Sequence, residues 1–114
     1  MTKSALETQL AYMIRCVGLP DPKTQYRLPE TPKRRYMWDF CWAAERLLVD
    51  VQGGTWMAKG GHNTGGGIED DCEKMVLGTL NGYRVMFVTA LQVRDGRAVQ
   101  WIERALKVVE DSEG

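Results

Sequence analysis

Two aspartates interrupt otherwise apolar strand-like segments within the stretch Arg34–Gly54, RRYMWDFCWAAERLLVDVQGG. At the two-residue period of a strand, the first segment places its aromatic residues on one face and Asp39 on the other. The aromatic face comprises Tyr36, Trp38 and Phe40, and the face of Asp39 also carries Met37 and Cys41. A charged side chain inside an apolar strand costs free energy, so these two aspartates need a specific explanation.

The second segment, Arg46 to Gln52, repeats this pattern. Leu47, Val49 and Val51 point one way, whereas Leu48, Asp50 and Gln52 point the other. An antiparallel pairing across the short WAAE connection would bring Asp39 and Asp50 together at adjacent strand ends. Two carboxylates so close repel each other unless a proton or a cation lies between them. Oxygen ligands suit a hard divalent ion, so the pair predicts a site for magnesium, with manganese able to substitute.

Length and composition indicate one soluble domain spanning residues 1–114. No apolar run approaches a membrane span and no signal peptide is recognisable, which favours no membrane partner and a cytoplasmic location. Three cysteines without metal-site spacing predict buried thiols. The net charge is zero, but the first 60 residues carry nine Lys and Arg against six Asp and Glu, and the remainder six against nine. This distribution neither supports nor excludes a nucleic-acid partner.

The remaining chain alternates helical and extended patterns. We expect helices over Ser4–Val17, Ile68–Leu80 and Arg97–Val109, and strands over Thr24–Leu28, the two aspartate segments and Tyr83–Thr89. Apolar residues occupy both faces of the last strand, which predicts a central position. In the helix Ile68–Leu80, an inward stripe of Ile68, Cys72, Met75, Val76 and Thr79 is expected. The order α-β-β-β-α-β-α predicts an α/β fold with a mixed sheet flanked by helices.

Three further features are candidates for function, each with a structural alternative. Glu7 follows Ser4 at the spacing of a helix capping box, which would give it a structural role. Lys33, Arg34 and Arg35 form a basic cluster that would be either a solvated strand entry or a phosphate contact. Lys74 follows three acids at the start of its helix, and a surface ion pair with Asp70 or Asp71 is its alternative to a role at the site.

The Gly-rich segment Gly53–Gly67 holds most of the glycines and the single histidine, His62. Glycine allows close backbone approach to a ligand, so this loop could wrap a nucleic-acid strand or cradle a phosphate. It lacks the ending of a P-loop, which argues against a nucleotide triphosphatase.

The ordered set of WDF, LLVDVQGGTW, His62, the Gly-rich run, DCEK and NGYRVMFVT resembles PD-(D/E)XK nucleases of the restriction-endonuclease-like fold. It is most similar to small phage-encoded endonucleases related to very-short-patch-repair enzymes. The resemblance covers nearly the whole chain and departs from the pattern at Asp50, usually glutamate, and Gln52, usually lysine. It implies Mg²⁺ or Mn²⁺ held by Asp39 and Asp50, with Glu7 as an outlying ligand from the first helix.

The resemblance also implies a function. The chain would be a metal-dependent DNA endonuclease, possible as a homodimer and located in the host cytoplasm if phage-encoded. Gln52 would orient the attacking water, His62 would act in proton transfer, and Lys74 would supply the charge missing at position 52. Alternatives are a Holliday-junction or other branched-DNA resolvase, and a degenerate DNA-binding module that does not cut.

Overall fold

The computed structural model describes residues 2–29, 31, 36–52 and 65–113. The helices are α1 (Lys3–Val17), α2 (Gly65–Leu80), α3 (Ala90–Arg94) and α4 (Arg97–Glu113). The strands are β1 (Lys23–Tyr26), β2 (Trp38–Trp42), β3 (Leu47–Gln52) and β4 (Arg84–Thr89). The expected order thus gains one short helix, α3, and the last helix extends beyond its expected end. A T-x-x-Q capping box, formed by Thr89 and Gln92, begins α3 and was visible in the sequence.

The described strands form one mixed sheet in the order β1-β2-β3-β4. β1 pairs with β2 and β2 with β3 in antiparallel fashion, and β4 runs parallel to β3. The prediction of an α/β fold with a mixed sheet flanked by helices is confirmed at this level.

Each face of the sheet has its own apolar cluster. Leu47, Val49 and Val51 of β3 face the cluster that contains residues of α1, α3 and α4, while Leu48 faces the cluster beside α2. The expected alternation of β3 is therefore confirmed. Because helices cover both faces, β3 is apolar on both sides except at Asp50 and Gln52.

The prediction for β4 is wrong, because β4 lies at an edge of the four described strands. Its residues still enter both apolar clusters, with Met86 and Val88 on one face and Val85 and Phe87 on the other. Apolar residues on both faces of a strand report that helices cover both faces. They do not report how many strands lie beside it.

Helix α1 begins one residue earlier than expected and is capped by Thr2, whose hydroxyl accepts a hydrogen bond from Ala5 N at 3.1 Å. The capping box of Ser4 with Glu7 is therefore wrong, which leaves the Glu7 carboxylate available for other contacts. Leu6, Leu10 and Ile14 form the buried stripe. The helix ends at Gly18, whose positive φ of 85° suits glycine and whose N–H closes the last turn.

Helix α2 turns a different side to the sheet from the one its apolar pattern predicts. Ile68, Met75 and Val76 of the expected inward stripe are exposed, as is Leu80. Lys74 and Gly78 are instead the buried positions. A Cβ added to Gly78 would lie 2.7 Å from Val85 Cγ2, so glycine is what lets this helix approach the sheet so closely.

Two smaller predictions also change. Only Cys41 is a buried thiol, since Cys16 and Cys72 are exposed. In β2 the alternation breaks at Asp39: Phe40 packs in the cluster of α1, whereas Trp38 packs with Phe87 in the cluster of α2. In the described ranges, no helix combines the length and the apolar character needed to cross a membrane.

Candidate active site

Asp39 and Asp50 meet where the backbone ladder between β2 and β3 ends. The paired residues run from Trp42 with Leu47 to Phe40 with Val49. Beyond them, side chains replace backbone acceptors: Val51 N donates to Asp39 Oδ2 at 2.7 Å, and Asp39 N donates to Asp50 Oδ1 at 3.3 Å. Both aspartates are buried, so these hydrogen bonds satisfy backbone groups that water cannot reach.

Lys74 reaches the site from α2. Its ammonium donates to Asp50 Oδ2 at 2.9 Å and to the Met37 carbonyl at 3.0 Å, and it lies 4.7 Å from the centre of the Trp38 ring. The residue is only 8% exposed. A buried ammonium with an anionic, a carbonyl and an aromatic partner is held in one place. The structure therefore places Lys74 at Asp50, and the alternative of a surface pair within its own helix is wrong.

Lys3 is a second cation at the site, and no sequence pattern predicts its contact with Asp39. Its ammonium lies 3.1 Å from Asp39 Oδ1 and 3.9 Å from Glu7 Oε2. The spacing of Lys3 and Glu7 on one helix was visible in the sequence. The contact with Asp39 depends on how α1 crosses the sheet, which the sequence does not show.

The charges of Asp39, Asp50, Lys3 and Lys74 influence one another because water has little access to the region between them. Burial raises the pKa of the Asp50 carboxyl, the negative charge of Asp39 raises it further, and Lys74 and Lys3 oppose this only in part. Burial lowers the pKa of the Lys3 ammonium, but the charges of Asp50 and Asp39 outweigh that effect and raise it overall. The two buried carboxylates are therefore opposed by two ammonium groups, and Glu7, 3.9 Å from Lys3, adds a further negative charge at the edge of the site.

Glu7 lies beside this charge group, in contact with a different strand. Gln25 Nε2 donates to Glu7 Oε1 at 2.8 Å, and Gln25 adopts a left-handed backbone with φ of 49°. Such a conformation is uncommon for a residue other than glycine and often occurs near functional sites. Glu7 and Asp39 both line an open cavity of about 240 Å³ between α1, β1 and β2. The lining comprises Ser4, Glu7, Thr8, Ala11, Thr24, Gln25, Asp39 and Phe40.

Gln52 also contacts the site, since its amide Nε2 lies 3.4 Å from Asp50 Oδ2, the oxygen that Lys74 contacts. The other proposed site residues, His62 and the basic cluster of Lys33, Arg34 and Arg35, lie outside the described residues.

Tyr36 is a further residue that sequence reasoning did not assign to the site. Its hydroxyl lies 2.9 Å from Asp70 Oδ1 and 2.6 Å from Glu73 Oε1, which ties α2 to the segment leading into β2. Burial is the main reason why the pKa of this phenol is raised, followed by its hydrogen bonds with Glu73 and Asp70. Because Glu73 immediately precedes Lys74, this contact helps to fix the part of α2 that carries the buried lysine.

The chemistry of the site suits a hard divalent cation, although the ligand set is small. Among the residues that the structure describes, no group of three or more His, Cys, Asp or Glu could hold a metal. Mg²⁺ commonly uses only one or two protein carboxylates together with water and phosphate oxygens. Asp39 and Asp50 could supply two such carboxylates, and the roles of Asp39, Asp50 and Glu7 as ligands stay predictions.

Comparison of the chain with family models, with curated proteins and with solved structures gives no match. The resemblance to PD-(D/E)XK nucleases therefore depends on the sequence features quoted above.

Proposed function

We propose that this chain is a metal-dependent endonuclease that hydrolyses phosphodiester bonds in DNA. One observation carries the proposal: two aspartates buried on adjacent strands converge at a break in their ladder, with a buried lysine on one of them. Burying charged groups costs free energy, and such groups occur preferentially at functional sites.

The proposed metal is Mg²⁺, with Mn²⁺ able to replace it, and Asp39 and Asp50 would hold it. When bound, such an ion lowers the pKa of a coordinated water and stabilises negative charge on the phosphate. The preorganised carboxylates supply oxygen donors whose positions are already fixed by backbone hydrogen bonds.

Lys74 and Gln52 would assist at the same carboxylate. Lys74 supplies a fixed positive charge in a region of low water content, where charge stabilisation is strong. The amide of Gln52 can orient a water by hydrogen bonds, but it cannot take a proton because it does not titrate. A lysine from α2 thus compensates for the glutamine that stands where the nuclease pattern has lysine.

The restriction-endonuclease-like version of the fold is part of this proposal. Its support is the order of elements, with the two aspartates on consecutive antiparallel strands and the lysine-bearing helix between β3 and β4. DNA as the substrate rests on the resemblance in sequence.

The test is cleavage of supercoiled plasmid, single-stranded DNA and a four-way junction with Mg²⁺, with Mn²⁺ and with EDTA. We expect cleavage with either metal, none with EDTA, and none by Asp39→Asn, which keeps the shape of the side chain. Preference for the junction would identify a resolvase. No cleavage of any substrate by the parent protein with either metal would refute the proposal.

A second candidate is a DNA-binding module that does not cut, and the internal pairing of the two aspartates favours it. Every oxygen of Asp39 and Asp50 already has a hydrogen-bonding or ionic partner within the chain. Such a group could be purely structural. This candidate predicts DNA binding that persists in EDTA together with the absence of cleavage in Mn²⁺.

A further inference from the structure

The cation beside Asp39 and the cation beside Asp50 are held in very different ways. The side chain of Lys74 is 10% exposed and that of Lys3 is 44% exposed. Lys74 has three partners, one of which is an aromatic ring. Among the described residues, Lys3 contacts the carboxylates of Asp39 and Glu7, and its separation of 3.9 Å from Glu7 is loose for an ion pair.

Lys3 and Lys74 also differ in which carboxylate oxygen they contact. Of the four carboxylate oxygens, Asp39 Oδ2 and Asp50 Oδ1 accept backbone N–H groups, and Asp50 Oδ2 faces the fixed lysine. Asp39 Oδ1 is the oxygen whose partner is a half-exposed side chain. Asp39 itself lines the open cavity beside α1, and a cation that reaches Asp39 finds Oδ1 already in contact with the Lys3 ammonium.

We propose that Lys3 is an internal counterion, which occupies the cation position beside Asp39 and has to leave it before a divalent cation binds. The proposal rests on the proposed function, because it assumes that the two aspartates take up a metal. An ammonium and a divalent ion cannot share one carboxylate oxygen at close range, since like charges repel strongly where water is scarce. The exposed, flexible stem of Lys3 makes its departure feasible.

The expected consequence is a metal affinity that the chain itself limits. When a binding-competent form is only fractionally populated, the observed affinity falls by that fraction. If Lys3 occupies Asp39 in about nine molecules out of ten, its removal tightens metal binding roughly tenfold. An arginine in its place would keep the positive charge and hence the weak binding.

The experiment is calorimetric titration of the full chain with Mn²⁺ alone, in the absence of DNA. The variants are Lys3→Met and Lys3→Arg, with Lys107→Met as the matched control on the exposed side of α4. Methionine, arginine and lysine have similar helix propensities, so α1 is expected to form in each variant. We expect Lys3→Met to lower the Kd for Mn²⁺ roughly 5- to 20-fold, and Lys3→Arg and Lys107→Met to match the parent.

A Kd of Lys3→Met within twofold of the parent, or weaker, would overturn the inference. If the parent binds Mn²⁺ and cleaves DNA in that case, the proposed function stands and this inference alone fails. If neither the parent nor Lys3→Met binds Mn²⁺ and no DNA is cleaved, both fail. Binding by Lys3→Met alone would support the inference, since it would show the lysine excluding the metal.

Discussion

At the scale of single residues, the contact between Lys74 and Asp50 is the most informative one to remove. Lys74→Met keeps the volume and loses the charge. We expect the cleavage rate to fall roughly 100-fold or more, as happens when a positioned charge-stabilising group is lost. Unpairing a buried carboxylate should also lower the free energy of unfolding by about 3 kcal/mol. Single-turnover cleavage and chemical denaturation measure the two effects.

A second substitution separates the chemical role of Lys74 from its structural role. Gln52 contacts the same oxygen of Asp50 as Lys74 does. Gln52→Lys in the Lys74→Met background should therefore restore part of the cleavage rate. Lys107→Met serves as the control, with the parental rate and stability. Cleavage by Lys74→Met at the parental rate would contradict the catalytic role.

The pKa of the Asp50 carboxyl gives a prediction that does not depend on cleavage. This pKa is raised above its ordinary value of 3.8 by burial and then by Asp39. Asp39→Asn should lower it and Lys74→Met should raise it further, because each removes one charge of known sign. Carboxyl carbon titration by NMR would measure both shifts. Equal pKa values in the parent and both variants would show that the charges do not interact as the geometry indicates.

The sign of this shift also fixes its effect on stability and on metal binding. A carboxyl with a raised pKa in the folded protein contributes stability below pH 3.8, and that contribution is lost as the pH rises through the folded value. Ionised Asp50, the form that binds a cation, is conversely depleted as the pH falls through the folded value. As the pH is lowered, metal binding should therefore begin to decline while the pH is still above 3.8, the pKa of an ordinary aspartate.

Part of this site could be predicted from the sequence. The two aspartates inside otherwise apolar strand segments predicted two carboxylates that converge, because the pairing of consecutive strands is local. Lys74 was placed at the site from the missing lysine at position 52, not from the pattern of its own helix. Lys3 could not be found, because its contact joins the start of α1 to β2 across 36 residues.

Among the helices, α2 shows why apolar periodicity can predict the wrong buried side. The rule assumes that the more apolar side is buried. Here the buried side carries Lys74 because Asp50 offers it a partner, and Gly78 because the helix lies close to the sheet. The packing partners decided the orientation, and those partners belong to β2, β3 and β4.

Gly78 allows the close approach of α2 to the sheet to be tested. A Cβ at this position would approach Val85 Cγ2 to 2.7 Å and Leu48 Cδ1 to 3.2 Å. Val85 is β-branched and has little rotamer freedom, so α2 itself must shift outward. We expect Gly78→Ala to cost about 1–3 kcal/mol of unfolding free energy and to lower cleavage, because Lys74 lies one helical turn away. Chemical denaturation and initial cleavage rates would measure this.

Thr79→Ala is the matched control, since its side chain is exposed on the same helix. It should change the unfolding free energy by no more than about 0.5 kcal/mol. Parental stability and parental cleavage in Gly78→Ala would show that α2 does not need its close approach to position the lysine.

At the scale of the whole molecule, the net charge of zero conceals an uneven distribution. The excess of basic residues lies in the first half of the sequence, and the excess of acidic residues lies in the second. The folded structure pairs some of these charges internally, as with Lys3 and Asp39 within the first half, and Asp50 and Lys74 across the halves, and neither pair reduces the difference. Internal pairs of this kind do not contribute to attraction of a polyanion, so DNA binding has to depend on basic residues that remain unpaired.

The basic cluster Lys33, Arg34 and Arg35 precedes Asp39 by four to six residues in sequence. If these residues contact phosphates, changing any one to glutamine should weaken DNA binding similarly for unrelated sequences. It should also reduce the slope of log affinity against log salt by about one unit, because one fewer counterion is released. Fluorescence anisotropy at several salt concentrations, in EDTA to prevent cleavage, would measure the slope. Arg104→Gln, on the exposed side of α4, should leave it unchanged. Unchanged slopes in all three cluster variants would assign the cluster to a solvated strand entry and require another DNA-binding surface.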